Sequence, residues 1–133
     1  MITKAALLLF RGTDDRRELL FTREAGKSYY AFPGGKQDPG ETVEDALHRE
    51  LDEELGVAVM DVQKLGVVSG QTPDGRDIEM HLYSGEISGE PHAQDNIEEI
   101  TWMSQADIAA HQDAMTPMTL EHVLPFLRAR GIW

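Results

Sequence analysis

The sequence predicts an α/β domain, a mixed β-sheet with helices on both faces. Three observations point there. Ala5–Phe10 is a continuous apolar run of strand length. Thr42–Leu55 repeats its apolar residues at helical spacing and stops at Gly56. Asp77–Ile87 alternates, with Ile78, Met80 and Leu82 on one face and Glu79, His81 and Tyr83 on the other. Strands and helices then follow one another irregularly, which favours a mixed sheet over a regular βαβ series.

The elements follow in order. After Ala5–Phe10, Gly12–Arg17 reads as a loop, and Glu18–Arg23 returns as a second strand, so the two strands are expected to form a hairpin. Ala25–Gly40 holds four Gly and two Pro, which is loop chemistry. Thr42 lies three residues before Asp45, the spacing of a capping box at the start of the helix. Val57–Gly70 is rich in Val and reads as one or two strands, and Pro73-Asp74-Gly75 is a turn signal. Ile97–Met103 reads as a short strand and Ser104–His111 as a short helix capped by Ser104. Thr116-Pro117 starts a last helix that runs to about Arg130. Pro125 inside it is expected to kink or divide it, because proline has no N–H to donate.

The length, 133 residues, fits one domain spanning 1–133. No cysteine is present, so neither a disulfide nor a thiolate–metal staple is available. Any metal site must use oxygen or imidazole ligands, which suit Mg²⁺, Mn²⁺ or Ca²⁺. The net charge of −12 argues against nonspecific nucleic-acid binding, which depends on Lys and Arg neutralising phosphates. No stretch approaches the roughly 18 apolar residues of a membrane span, and the apolar start is too short for a signal peptide. A soluble, cytoplasmic protein is expected.

The chemistry concentrates between Gly34 and Val57. With Val43 set at zero on a helical wheel, Leu47, Leu51 and Leu55 fall at about 40°, 80° and 120°. Glu54 falls at about 20° and Glu50 at about 340°, both inside this apolar stripe, with Glu53 at its edge. Ionised carboxylates resist desolvation, and three at i, i+3 and i+4 spacing have neighbouring heads that raise one another's pKa. A divalent cation resolves both conflicts, and hard carboxylate oxygens are what Mg²⁺ prefers. Arg49, one turn before Glu53, can hold that carboxylate. Gly34-Gly35 lets the backbone approach a ligand closely, and Lys36 follows as a phosphate-range cation.

These residues fill every defined position of a family signature. Gly35, Glu41, Arg49, Glu50, Leu51, Glu53, Glu54, Gly56 and Val57 stand at the spacing of the Nudix box. The chain therefore resembles Nudix hydrolases, and Phe32-Pro33-Gly34 and Trp102 extend the likeness beyond residues 35–57. The resemblance implies an α/β/α sandwich around a mixed sheet. It implies hydrolysis of nucleoside diphosphates linked to another moiety, with Mg²⁺ as cofactor and Mn²⁺ as substitute. It assigns Glu50, Glu53, Glu54 and the main-chain carbonyl of Gly34 to the metal, and charge pairing of Glu41 with Arg49 to the loop and helix. A later acid completes such sites. Asp95, Glu98 and Glu99 are candidates, with Glu98 preferred. Glu53 is expected as general base, with Glu50 next.

Arg23 and Lys36 are expected phosphate contacts. Phe32, Tyr29 and Tyr30 could stack on a base or fill the core. The Phe-Pro-Gly-Gly-Lys entry resembles nucleoside triphosphate pyrophosphohydrolases, including those acting on oxidised nucleotides. Pro73, 16 residues beyond Val57, resembles the spacing of ADP-ribose-cleaving members, and dinucleoside polyphosphates are a further alternative. A non-catalytic binding module would be expected to lose box acids, and none is lost. The five histidines share no metal spacing, and Met115 and Met118 read as core. Ile132-Trp133 is expected to dock on the domain or a partner, so the protein is read as a monomer or homodimer. The expected partner is a small nucleotide, with neither nucleic acid nor membrane.

Overall fold

The computed structural model describes the whole chain, Met1–Trp133. β1 (Ile2–Leu7), β2 (Phe10–Arg11), β3 (Glu18–Glu24) and β4 (Gly34–Lys36) precede helix α1 (Val43–Leu55). β5 (Val59–Gln71), β6 (Asp77–Ile87) and β7 (Ile97–Met103) follow, then α2 (Gln105–Ala110) and α3 (Leu124–Ala129). The larger sheet is mixed, in the order β4-β1-β6-β5. In it β1 runs parallel to β6, while the β1–β4 and β5–β6 pairs are antiparallel.

A second sheet, β2-β3-β7, is antiparallel and departs from the single mixed sheet that the sequence predicts. The apolar run Ala5–Phe10 is the reason. It does not stay one strand but crosses between sheets at Leu8-Leu9. Leu8 N–H still donates to the Tyr83 carbonyl beside β1, at 2.8 Å, whereas the Leu9 carbonyl already accepts from Leu20 of β3, at 3.0 Å. The expected hairpin is therefore confined to Phe10–Arg11 against Glu18–Leu19.

Alternation along this crossing run divides the core. Ala6 and Leu8 join one cluster with Phe21, Leu82, Val123, Leu124 and Leu127. Ala5, Leu7 and Leu9 join the other with Leu47, Leu51 and Leu55 of α1. Helices thus cover both sides, as expected for a sandwich. Each fully buried leucine contributes about 1.5–3 kcal/mol of transfer free energy, which anchors α1 and fixes its polar edge.

The helix ends follow their sequence signals. Thr42 and Asp45 cap α1 reciprocally, and Gly56 ends it with φ 67°. Ser104 and Asp107 do the same at the start of α2. Helical structure resumes at Pro117, where the Thr116 hydroxyl accepts from Thr119 N–H at 3.1 Å. The expected break at Pro125 takes the form of a π-helical turn over Thr119–Val123, directly before α3. A widened turn accommodates the missing proline donor without interrupting the helix.

Candidate active site

Three segments converge at one end of α1. Glu50, Glu53 and Glu54 leave its last two turns. The short strand β4 brings Gly34, Gly35 and Lys36 alongside, held to β1 by the pairs Ala6↔Gly34 and Lys4↔Lys36. Glycine serves the two positions for different reasons. A side chain on Gly34, whose φ is 138°, would run into the Ala5 carbonyl, and one on Gly35 would occupy the place of the Glu50 carboxylate. Gly34 thus lets β4 close on β1, and Gly35 admits the Glu50 carboxylate against the strand.

Arg49 organises the entry loop. It holds Glu41 through Nε to Oε2 at 3.1 Å and Nη2 to Oε1 at 2.7 Å. Nη2 also donates to the Lys36 carbonyl at 2.9 Å. Nη1 donates to Glu50 at 3.0 Å and reaches Glu53 at 3.4 Å. The guanidinium holds the Glu41 carboxyl below its usual range, helped by Asp38 N–H.

The acids occupy unlike surroundings. Glu54 is partly buried and accepts from Gly34 N–H at 3.0 Å. Burial pushes its carboxyl up to about 8, the Gly34 N–H opposes this, Glu50 adds to the rise and Lys4 opposes it. Burial also raises Glu50, against the pull of Arg49. Glu53 is exposed and turned to Arg49. The three carboxylates are neighbours on the helix but are not gathered into one cluster at metal-ligating distance.

Glu54, Gly34 and Lys36 open onto a cavity of about 570 Å³, a size suited to a small ligand. Phe32 lines it, while also stacking on Phe21 with ring centroids 4.8 Å apart. Tyr29, Pro73, Thr116 and Met118 lie on its wall; Met118 is buried as well, whereas Met115 packs in the core and is not on the wall. Tyr30 is not on the wall; its hydroxyl bonds the Glu99 carboxylate at 3.1 Å.

The structure does not bring Arg23 or Glu98 to this place. Along β3, Thr22 and Glu24 reach the cavity and the intervening Arg23 does not. Arg23 instead donates to Glu99 at 3.0 Å and to Glu98 at 3.3 Å, across the β3–β7 pair. The expected phosphate contact and the expected extra metal ligand are thus engaged with each other. Asp95 is likewise absent from the cavity wall. Lys4 and Lys27 do line it and were missed. A lysine inside the otherwise apolar start of β1 was the available signal.

Among the histidines, His81 is largely buried and paired with Glu79 at 2.6 Å. Trp133 packs on Phe10, with ring centroids 5.5 Å apart, so the C-terminal residues dock on the domain.

Comparison with known proteins agrees with this geometry. The model of the NUDIX domain matches residues 1–123. A Bacillus subtilis protein named "Putative 8-oxo-dGTP diphosphatase" is 32% identical over 106 residues, 78% of this chain and 68% of that protein. The RNA pyrophosphohydrolase of Pseudomonas fluorescens is 43% identical over 58 residues, 44% of this chain and only 36% of that protein. The solution structure of the Escherichia coli ORF135 protein superposes with a TM-score of 0.73 at 27% identity, covering 97% of this chain and 90% of that one. MutT from a study of Aliivibrio salmonicida and Vibrio cholerae gives 0.71 at 25% identity, covering 96% and 98%. With the box in place on α1 and the family match running from β1 to the end of the π-helical turn before α3, the chain belongs to the Nudix family.

Proposed function

We propose that this protein hydrolyses nucleoside triphosphates, ordinary or oxidised, to nucleoside monophosphate and pyrophosphate, with Mg²⁺ as cofactor and Mn²⁺ as substitute. The observation that carries the reading is the cavity. Its lining combines the polar groups of Glu54, Gly34 and Lys36 with the apolar side chains of Phe32, Met80 and Met118. An anionic tail and an apolar base need those two environments at once. The Bacillus relative, aligned over most of both chains, supports the same substrate class.

The donor chemistry fits a divalent cation. Glu54 is a partly buried carboxylate pushed up to about 8, next to a second raised carboxyl at Glu50. Positive charge between them relieves both. Glu50, Glu53, Glu54 and the Gly34 carbonyl would hold the ion. Bound there, it would supply charge neutralisation for the diphosphate and acidify a water.

The chain's own groups do the rest. Lys36 contacts phosphate oxygens. Glu53 takes the proton of the attacking water, with Glu50 as the alternative base. Water adds to phosphorus as the anhydride P–O bond breaks, and pyrophosphate leaves. Arg49 positions Glu50 and Glu53 through the contacts already described. Glu53→Gln and Glu54→Gln each lower turnover at least about a hundredfold with the far-UV spectrum unchanged. Near-wild-type turnover in both contradicts the assignment.

A second reading is hydrolysis of ADP-ribose, favoured by one observation: Pro73 lies on the cavity wall as well as in the β5–β6 turn. AMP and ribose 5-phosphate as the fastest-formed products would select it. The net charge of −12 favours a free nucleotide over RNA as substrate.

A further inference from the structure

The protein has four lysines, Lys4, Lys27, Lys36 and Lys64. Three of them, Lys4, Lys27 and Lys36, line the one cavity that Glu54 faces. Every ion pair in the structure is made by an arginine or a histidine, so none of these lysines has a carboxylate partner. In a chain with twice as many acids as bases, unpaired cations collected at one cavity are not explained by solubility.

Lys4 and Lys36 are a more specific case. They are directly opposed in the antiparallel β1–β4 pair. Opposed residues share a face of the sheet with Cβ atoms about 4.5–5.5 Å apart, where like charges repel. The Lys36 backbone cannot drift away, because Arg49 holds its carbonyl at 2.9 Å. Lys4 cannot turn away, because neighbouring Ala5 already occupies the α1 side and Lys4 must take the cavity side. The fold therefore keeps two lysines directly opposed at the edge of a cavity, neither of them in an ion pair with a carboxylate.

We propose that Lys4 is a substrate-binding residue that grips, together with Lys36, the polyphosphate tail of the nucleotide. The inference rests on the reading of this cavity as the triphosphate site. An anion between the two ammonium groups converts their repulsion into two charge-assisted hydrogen bonds. Lys4 and Glu54 line the same cavity, and Glu54 accepts from the N–H of Gly34, whose strand pairs with that of Lys4, so the phosphate Lys4 holds lies on the side of that acid.

Inorganic tripolyphosphate is the direct probe. Its affinity is measured by calorimetry in metal-free buffer for wild type, Lys4→Gln, Lys4→Arg, Lys36→Gln, the Lys4/Lys36 double variant and Lys64→Gln. Lys4→Gln and Lys36→Gln should each weaken binding about tenfold. The double variant should lose less than the product of the two, because both residues grip one anion. Lys4→Arg should keep most of the affinity, and Lys64→Gln, outside the cavity, should keep all of it.

In turnover, Lys4→Gln should raise KM by more than it lowers kcat, and tripolyphosphate should compete with nucleotide. Wild-type affinity in Lys4→Gln, an equal loss in Lys64→Gln, or noncompetitive inhibition overturns the proposal. So does tighter Mg²⁺ binding by Lys4→Gln with unchanged tripolyphosphate affinity, which would reduce Lys4 to a counter-charge for Glu50 and Glu54. If wild type binds tripolyphosphate through both lysines yet cleaves no triphosphate, the anion site stands and the triphosphate assignment falls.

Discussion

Arg49 and Glu41 meet side by side, with Nε and Nη2 of the guanidinium donating to the two carboxylate oxygens at 3.1 and 2.7 Å. The same guanidinium holds the Lys36 carbonyl and touches Glu50 and Glu53. One planar group therefore sets the loop, the strand and the helix acids in register. The task needs a fork of fixed donors, and a lysine has only a point charge.

Arg49→Lys is accordingly not conservative here. It should lower turnover at least about tenfold and Tm by a few degrees, although charge is kept. Glu41→Gln should lower turnover less, because one oxygen can still accept from Arg49. Steady-state kinetics with thermal melts on both variants checks the order. An Arg49→Lys enzyme as active as wild type would deny the organising role.

Gly34 and Gly35 should fail differently. At Gly34 the obstacle is the Ala5 backbone, and φ is 138°, so Gly34→Ala should cost about 1–3 kcal/mol of stability. At Gly35 the obstacle is the Glu50 side chain, which can swing aside. Gly35→Ala should keep Tm within a few degrees but lower turnover at least about tenfold by displacing a proposed metal ligand. Denaturant melts and kinetics on the two variants separate these effects.

Glu54 makes metal-free stability depend on pH. Burial raises its carboxyl from 4.5 to about 8 in the folded protein. As pH rises from 4.5, the unfolded chain gives up this proton while the folded chain retains it, so the change favours unfolding. The loss accumulates through that window and is complete above about 8. In EDTA, the Tm of wild type relative to Glu54→Gln should therefore fall between pH 5 and pH 8. Taking the difference cancels the opposite trends from Glu41, Asp74 and Asp107, whose carboxyls are lowered. Mg²⁺ should raise the wild-type Tm more at pH 8 than at pH 5. Parallel Tm curves for the two proteins would contradict this.

Much of this site was legible in the sequence because its determinants are local. The spacing of Glu50, Glu53 and Glu54 on an amphipathic helix, the Thr42 cap and the Gly56 stop all lie within one element. What stayed illegible depended on distant partners. Nothing between Ala5 and Phe10 announces that the run changes sheets at Leu8-Leu9, since both sheets bury apolar residues. Arg23 reads as a free cation until β7 supplies Glu98 and Glu99 from across the chain. Nothing near Lys4 in the sequence announces its partner until β4 pairs with β1 and sets Lys36 opposite it. In each case the missing information was a nonlocal strand pairing, which period and propensity do not encode.

Metal-dependent cleavage of a nucleotide anhydride, with triphosphates preferred, can be read from the products themselves. The most direct measurement is product analysis by chromatography after incubation with Mg²⁺ and a nucleotide panel, with EDTA and Glu54→Gln controls. The panel contains ordinary and oxidised (d)NTPs, ADP-ribose, dinucleoside polyphosphates and NADH. Nucleoside monophosphate and pyrophosphate from a triphosphate should form fastest, and EDTA and Glu54→Gln should each abolish the reaction. Faster release of AMP and ribose 5-phosphate from ADP-ribose, or no Mg²⁺-dependent cleavage at all, would contradict it.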